Sequence, residues 1–263
     1  MNNNLFKDLF NPVVYEHGQF LRQMQELCKL SHSLLMSCQK EIQTQMSTET
    51  LARRLDDKLQ DMGKGQYRLE HIHISVNEQA FHCPPGNRLL VSGDIFTLDI
   101  VLSDGELFSD GAWSYGVDEI SPQRSSLLKD AWAVSCLAAR SLIPGEPLSE
   151  MQKELGAFLE GHSCQIVPEA CGHGIGRKIH DDPEISFISD DSFTCLCPEN
   201  GCVTVEPVLI GLGDKVLYVK DLGYIAAGGS DTAYFEHVIH TGPDGAICLN
   251  IPEINFTECI DIF

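Results

Sequence analysis

The chain has 263 residues and a formal net charge of -20, and hydrophobic residues make up 43% of it. This composition is typical of a folded protein with a substantial buried core, and it excludes a disordered chain. The acidic balance argues against a nucleic-acid partner and against binding to an anionic membrane surface, because both are bound through clustered Lys and Arg side chains.

Two helices and a hairpin are predicted in the first half of the chain. Apolar residues recur at helical spacing over residues 20–45. Ser47 is typical of the N-cap of a second helix, which is expected to end near Gly63. Strand-like sequence follows, and the turn signal SDG predicts a hairpin of two strands, 94–102 and 106–115.

The same order of elements recurs in the second half. A helix is predicted over 123–143, the PGEP segment ends it, and Ser149 is predicted to cap another helix. Strand-rich sequence follows. Two helices followed by strands, occurring twice, indicate an internal duplication, although an α+β domain without symmetry fits the pattern equally well. We predict one domain with these segments: an N-terminal extension (1–15), a first half (16–121), a second half (122–250) and a C-terminal tail (251–263).

Cysteine usage and the N-terminus bear on the compartment. The chain has eleven cysteines at irregular spacing, which is not the pattern of a secreted disulfide scaffold. The N-terminus does not resemble a signal peptide, and no apolar run approaches the roughly 18 residues that a membrane span needs. We therefore predict a reducing cytoplasmic compartment and no membrane partner.

Carboxylates within apolar strands are the clearest sign of chemistry. Asp99 lies in TLDIVL, and Asp110 lies on the other arm of the predicted hairpin, nearly opposite it. Two carboxylates so close cannot both stay ionised without a shared proton or a divalent cation. Glu206 in VTVEPV and Glu236 in YFEHVI also lie in apolar runs, where an unpaired charge is costly.

A histidine flanked by glycines completes the candidate metal site. His173 lies in CGHGIGR, where the glycines let the backbone approach a site closely. A lone histidine is often structural, but together with the buried carboxylates it suits a pair of ions such as Mn²⁺, Co²⁺, Fe²⁺ or Zn²⁺. A zinc site in CLCPENGC is disfavoured, because the three cysteines lack a C-x-x-C pair and a fourth ligand.

On these motifs the chain resembles the type I methionine aminopeptidases. The run CGHGIGRKIHDDPEI is similar to the signature of that family, and NEQAFHCPP, GDIFTLDIVLSDGELFSD, VTVEP and FEH occur in the family's order. The resemblance covers roughly residues 15–250. It implies the α+β pita-bread fold, in which pseudo-two-fold duplicated helices surround a curved antiparallel sheet. It also implies an enzyme that hydrolyses the N-terminal residue, usually the initiator methionine, from nascent proteins or peptides.

The resemblance also implies roles for seven side chains in metal-assisted hydrolysis. Glu206 is the expected proton acceptor as well as a metal ligand. His82 is expected near the scissile amide nitrogen and His180 near the substrate carbonyl. The protein is expected to act as a monomer with two divalent ions, Co²⁺, Mn²⁺, Fe²⁺ or Zn²⁺. The predicted metal ligands are Asp99, Asp110, His173, Glu206 and Glu236.

The sequence departs from the family's pattern around the pocket for the first residue of the substrate. Ile179 replaces a usual Phe, His73 stands where a Cys is common, Gly111 replaces a small hydroxyl residue, and KVLYVKD lacks the pocket Trp. Residues 222–235 form a longer, glycine-rich segment. The alternatives to methionine removal are another specificity, such as Xaa-Pro, and a non-catalytic peptide-binding protein on the same fold.

Overall fold

A computed structural model of the protein describes residues 17–189 and 195–251. The predicted N-terminal extension and all but the first residue of the predicted tail lie outside these residues. The helices are α1 (His17–Cys38), α2 (Thr48–Gly63), α3 (Pro122–Arg140) and α4 (Ser149–Leu159). The strands are β1 (Arg68–Val76), β2 (Gln79–Phe81), β3 (Ile95–Ser103), β4 (Phe108–Gly116), β5 (Cys164–Ile166), β6 (Cys171–Gly174), β7 (Asp181–Ser186), β8 (Gly201–Val205), β9 (Leu209–Gly211), β10 (Val216–Val219), β11 (Gly223–Ala226), β12 (Thr232–Ala233), β13 (His237–Gly242) and β14 (Gly245–Cys248).

The first two helices differ in how well the sequence predicted their ends. The Ser47 hydroxyl accepts a hydrogen bond from the Thr50 amide and caps α2, as predicted. The prediction that the first helix reaches residue 45 was wrong, because α1 ends at Cys38. Gln45 has a positive φ of 70° and its amide bonds to the Leu90 carbonyl instead of to a helical turn.

The second pair of helices shows a similar contrast. Ser121 caps α3 by accepting from the Arg124 amide, and Pro122 occupies the first turn. The prediction that Ser149 caps α4 was wrong, because Ser149 is the first helical residue and Leu148 is the N-cap. Leu148 is buried, and its amide donates to the Cys195 carbonyl. Tertiary packing therefore fixes this helix start without a side-chain cap.

The predicted hairpin of the first half is confirmed, and its register positions two carboxylates. Strands β3 and β4 pair antiparallel, with Asp99 opposite Ala112 and Asp110 opposite Val101. Because side chains alternate between faces along a strand, Asp99 and Asp110 lie diagonally on the same face of the sheet. Every residue of β3 is buried, so both carboxylates lie within the protein and not on its outer surface.

The strands form antiparallel sheets throughout the described residues. One sheet has the order β1-β3-β4, and the largest has the order β14-β13-β8-β6-β7. Smaller sheets have the orders β12-β9-β5 and β10-β11-β2. The last of these joins β2 of the first half to β11 of the second half. This interlocking favours our prediction of a single domain.

Aromatic side chains join the two halves at their core. Trp113 of β4 lies against Trp132 of α3, with ring centroids 5.1 Å apart, and against Phe235, at 5.0 Å. Trp132 and Phe235 are buried, and Trp113 contacts the core clusters of both halves. No helix in the described part of the chain is both long and apolar enough to cross a membrane.

Candidate active site

A cavity of about 890 Å³ collects the seven side chains that the sequence singled out. They arrive from both halves of the chain: Asp99 from β3, Asp110 from β4 and His173 from β6, with the others next to strand ends. All seven line the cavity wall: His82, Asp99, Asp110, His173, His180, Glu206 and Glu236.

Asp99 keeps its negative charge through two neighbours. The Tyr234 hydroxyl donates a hydrogen bond to Asp99 Oδ2 at 2.8 Å, and His73 Nδ1 lies 3.8 Å from the same oxygen. Burial alone would raise the pKa of Asp99. The hydrogen bonding and charge of His73, together with the Tyr234 hydrogen bond, have a larger opposite effect, so the pKa of Asp99 is lowered. Asp99 is therefore the carboxylate best able to stay ionised.

Asp110 and Glu236 are in the opposite situation. Burial raises the pKa of both groups well above the ordinary values, and nearby carboxylates add to the effect. Glu236 is 3% exposed, and its Oε1 has no hydrogen-bond partner among the described residues. A buried carboxylate oxygen without a donor is costly unless a cation satisfies it. Oxygen-rich ligands with one imidazole fit a divalent metal at this position.

His173 presents one ring nitrogen to these carboxylates. Its Nδ1 lies 3.0 Å from the Gly174 carbonyl, so Nδ1 carries the proton and donates it. Its Nε2 lies 4.0 Å from Asp110 and 3.6 Å from Glu206. Burial lowers the pKa of His173 to about 4, which keeps the imidazole neutral, the form that binds metals. Ligand atoms of Asp110, His173 and Glu236 all lie within 4.8 Å of one another.

Thr204 is a residue of this site that the sequence analysis missed. Its hydroxyl donates to Glu206 Oε1 at 2.7 Å and accepts from the His173 amide at 3.0 Å. This hydrogen bond lowers the pKa of Glu206, yet burial dominates and raises it to about 8. The available signal was position, because Thr204 and Glu206 are two residues apart and lie on one face of a strand.

The glycines beside His173 are required by the close approach of neighbouring backbone. A Cβ on Gly172 would lie 2.2 Å from the Thr204 carbonyl oxygen, and one on Gly174 would lie 2.3 Å from the Asp182 carbonyl oxygen. Real Cβ contacts essentially never fall below 3.0 Å. Strand β6 can therefore hold His173 between β7 and β8 only with glycine at these positions.

The two other histidines face the open side of the cavity. His82 follows β2 with a positive φ of 54°, and its ring lies 5.2 Å from that of His73. Burial lowers the pKa of His82. The exposed ring of His180 lies edge-on to His173, with centroids 4.3 Å apart. Both residues are exposed and line the cavity, so both rings can contact a ligand there.

The departures from the family's pattern also line this cavity. His73 and Ile179 contribute to its wall, together with His71 and Tyr218. His71 stacks on His73 with ring centroids 6.2 Å apart. Gly111 instead lies at the base of Asp110, where its amide donates to Asp110 Oδ1 at 2.9 Å.

Asp214, which lies outside the cavity wall, holds the turn that follows β11 in the glycine-rich segment. Asp214 accepts hydrogen bonds from the amides of Lys215, Gly228 and Ser230 at 2.8, 2.7 and 3.1 Å. Hydrogen bonding from the Ser230 side chain, followed by these backbone amides, lowers the pKa of Asp214 to about 2. An ordered turn, not an open loop, therefore follows β11.

Comparison with known proteins agrees with this geometry. Residues 22–243 match metallopeptidase family M24. Methionine aminopeptidase 1 of Bacillus subtilis is 31% identical over 64% of this chain and 68% of that protein. The methionine aminopeptidase of Clostridium perfringens is 25% identical over 91% of this chain and 99% of that protein. The crystal structure of methionine aminopeptidase from Rickettsia prowazekii has a TM-score of 0.82 at 21% identity and covers 89% of this chain and 97% of that one.

These comparisons confirm the predicted pita-bread α+β fold. They also imply that the family binds divalent metal, which suits the buried, partnerless oxygen of Glu236. The match along most of the sequence, together with a relative that is 31% identical, shows that this chain belongs to metallopeptidase family M24, in the branch of the methionine aminopeptidases.

Proposed function

We propose that this protein is a metal-dependent aminopeptidase that removes the N-terminal residue, first of all methionine, from peptides or nascent proteins. The observation that carries the proposal is the buried Glu236 carboxylate. Its Oε1 has no hydrogen-bond partner among the described residues, and one of its oxygens lies within 4.8 Å of ligand atoms on Asp110 and His173. A buried cluster of like charges is unfavourable by itself, and binding a divalent cation is what makes it favourable.

Five side chains would hold two divalent ions. Bound cations of this kind supply Lewis acidity and a water nucleophile at neutral pH. Asp110 and Glu236 are the two carboxylates of the group whose pKa values burial and nearby carboxylates raise well above their ordinary values. The full proposed set is Asp99, Asp110, His173, Glu206 and Glu236.

Glu206 is the proposed proton acceptor of the hydrolysis. Its Oε1 lies 3.6 Å from His173 Nε2 on the cavity wall, which places the carboxylate beside the proposed metal site, where a water would be activated. The Thr204 hydroxyl holds Oε1 at 2.7 Å, which fixes the carboxylate toward the cavity. The proton that Glu206 takes from water is then available for the leaving amine.

The two cavity histidines are proposed to position the substrate. His180 is exposed beside His173, where its ring can donate to the carbonyl oxygen as negative charge develops there. His82 lies across the cavity next to His73 and can orient the scissile amide nitrogen. Neither ring is buried among the carboxylates, so both are available to a peptide.

The cavity wall carries polar side chains where the sequence departs from the family's pattern. His73 and Tyr218 lie in such segments, and His71 lines the cavity with them. Methionine is unbranched and polarizable and adapts to irregular pockets, and the relatives carry its name. Methionine therefore remains the first substrate to test, with other first residues beside it.

The decisive test is hydrolysis of Met-Ala peptides, and of a panel with other first residues including Xaa-Pro, with Co²⁺, Mn²⁺, Fe²⁺ or Zn²⁺. Glu206→Gln should lower kcat by about 10²–10⁴-fold, the usual contribution of a positioned acid–base group. Glu146→Gln, on an exposed glutamate, is the matched control. Metal analysis of the Mn²⁺-loaded protein should give two ions per chain, because Mn²⁺ prefers oxygen and nitrogen ligands to thiolate.

Two outcomes would contradict the proposal. Full activity in Glu206→Gln would show that Glu206 is not the base of the reaction. Failure to cleave any peptide with any of the four metals would favour a non-catalytic peptide-binding protein.

The compartment and the oligomeric state are parts of the same proposal. The ten cysteines within the described residues all have free thiols, which supports a reducing compartment such as the cytoplasm. A monomer is proposed, and size-exclusion chromatography with light scattering tests it.

A further inference from the structure

A second group of metal-ligating side chains lies away from the cavity. Asp130 on α3, His162 after α4 and Cys164 at the start of β5 have ligand atoms that all lie within 4.8 Å of one another. None of the three lines the 890 Å³ cavity. We propose that Asp130, His162 and Cys164 form a second, zinc-binding site that joins α3 to β5.

The distances within the group are close to those of a tetrahedral zinc site. Bond lengths of about 2.0–2.3 Å to nitrogen, oxygen and sulfur place ligand atoms about 3.4–3.6 Å apart. His162 Nδ1 lies 3.2 Å from Asp130 Oδ1, and Cys164 Sγ lies 3.8 Å from Asp130 Oδ2. These two separations run to different oxygens of Asp130. One ligand atom from each residue lies within 4.8 Å of the others, so a small adjustment of side chains would bring all three to a shared cation.

The three side chains are held in place by structure that does not depend on a metal. The His162 amide donates to the Leu159 carbonyl, and the Phe158 ring lies against the imidazole, with centroids 4.9 Å apart. Cys164 pairs with Gly211 across the β5–β9 ladder and is 3% exposed. Two of the ligands are thus preorganised by a turn and a strand, which reduces the entropy that binding must overcome.

The donor set favours zinc among common divalent cations. Thiolate and imidazole suit Zn²⁺, and Mg²⁺ and Ca²⁺ prefer sites made of oxygen alone. The imidazole is partly exposed, with a side chain 31% accessible, so water can complete the fourth position. When the cation binds, the sulfur–metal bond replaces the S–H bond of Cys164, and the proton passes to solvent.

The alternative is an ordinary ion pair between Asp130 and His162, with the Cys164 thiol donating a hydrogen bond to Asp130. An ion pair requires no sulfur, whereas the zinc site requires it. The sulfur also separates this group from the proposed catalytic ligands, which are oxygen and nitrogen only. The inference does not rest on the proposed peptidase activity, because the measurement is spectroscopic.

Co²⁺ titration of the whole protein tests the site through the thiolate-to-cobalt charge-transfer band in the near ultraviolet. The band should appear in the wild type and in the control Cys171→Ser, whose thiol lines the catalytic cavity. It should be absent from Cys164→Ser. Excess Zn²⁺ should abolish the band, because Zn²⁺ binds such sites more tightly than Co²⁺.

A second variant keeps the test independent of any folding defect in Cys164→Ser. Asp130→Asn should keep the band but weaken Co²⁺ affinity at least about tenfold. Replacing a residue that only hydrogen-bonds to a metal ligand already lowers metal affinity by that factor. The proposal would be overturned if the wild type lacked the band or if the band persisted in Cys164→Ser. It would equally be overturned if excess Zn²⁺ left the band in place, or if Asp130→Asn bound Co²⁺ as tightly as the wild type.

Discussion

Replacing Gly172 by alanine should separate the two strands that carry the candidate metal ligands. The added Cβ would lie 2.2 Å from the Thr204 carbonyl oxygen and 3.2 Å from the Phe187 ring. Backbone cannot rotate away as a flexible side chain can, so β6 must move from β8. That movement would lengthen the hydrogen bond between the His173 amide and the Thr204 hydroxyl, now 3.0 Å.

The magnitude follows from the nature of the clash. Overpacking a well-packed core typically costs 1–3 kcal/mol, and a rigid backbone obstacle favours the upper end, about 3 kcal/mol. For a protein of this size, about 3 kcal/mol corresponds to a fall in Tm of roughly 6–12 °C. Because His173 moves with the strand, metal affinity should fall as well.

Differential scanning calorimetry and metal titration of the variant measure both effects. The matched control is Gly156→Ala on α4, where an added Cβ meets nothing within 4 Å. Alanine is the better helix former, so this control should gain up to about 1 kcal/mol. A Gly172→Ala protein with the Tm and metal affinity of the wild type would refute the requirement for close backbone approach.

Three further predictions concern the same site and its surroundings. Thr204→Val leaves the Glu206 oxygen and the His173 amide without a hydrogen-bond partner, so urea denaturation should show an unfolding free energy lower by about 1–3 kcal/mol. Thr204→Ser keeps the hydroxyl and should restore most of that free energy. Equal stability of the two variants would contradict this reasoning. Asp214 has a pKa lowered to about 2, with the hydrogen bond from Ser230 as the main cause, so its contribution to stability is complete above pH 4 and is lost as pH falls toward 2. The difference in unfolding free energy between wild type and Asp214→Asn should therefore shrink over that interval, and a difference constant with pH would be the contrary result. Removing the metal with a chelator should abolish peptide hydrolysis and lower the Tm, because the buried carboxylates lose their counter-charge. Calorimetry with and without Mn²⁺ measures the change in Tm. An unchanged Tm would count against a metal centre.

The sequence predicted best where the physical signal is local. Asp99 was recognisable because a carboxylate inside a continuous apolar strand needs a compensating partner. The α2 start followed from Ser47, because an N-cap depends only on the next few residues. The resemblance then added His82 and His180 to the five candidate metal ligands, and the structure brings all seven to one cavity.

The features that the sequence did not reveal depend on contacts between distant segments. Tyr234 supports Asp99 across 135 positions of the chain, and nothing near either residue signals the pairing. The end of α1 was missed because the backbone at Gln45 pairs with Leu90, a tertiary bond that overrides helical periodicity. Cys164 was passed over because its partners Asp130 and His162 come from other elements.

The aromatic contact between the halves gives this protein a built-in optical probe. The chain contains only two tryptophans, and both lie at that contact, Trp113 from the first half and Trp132 from the second. Their fluorescence emission should therefore change when the two halves dock. It should not change in events that leave the contact between the halves intact. Stopped-flow fluorescence during refolding would time this docking separately from helix formation, which far-ultraviolet circular dichroism follows.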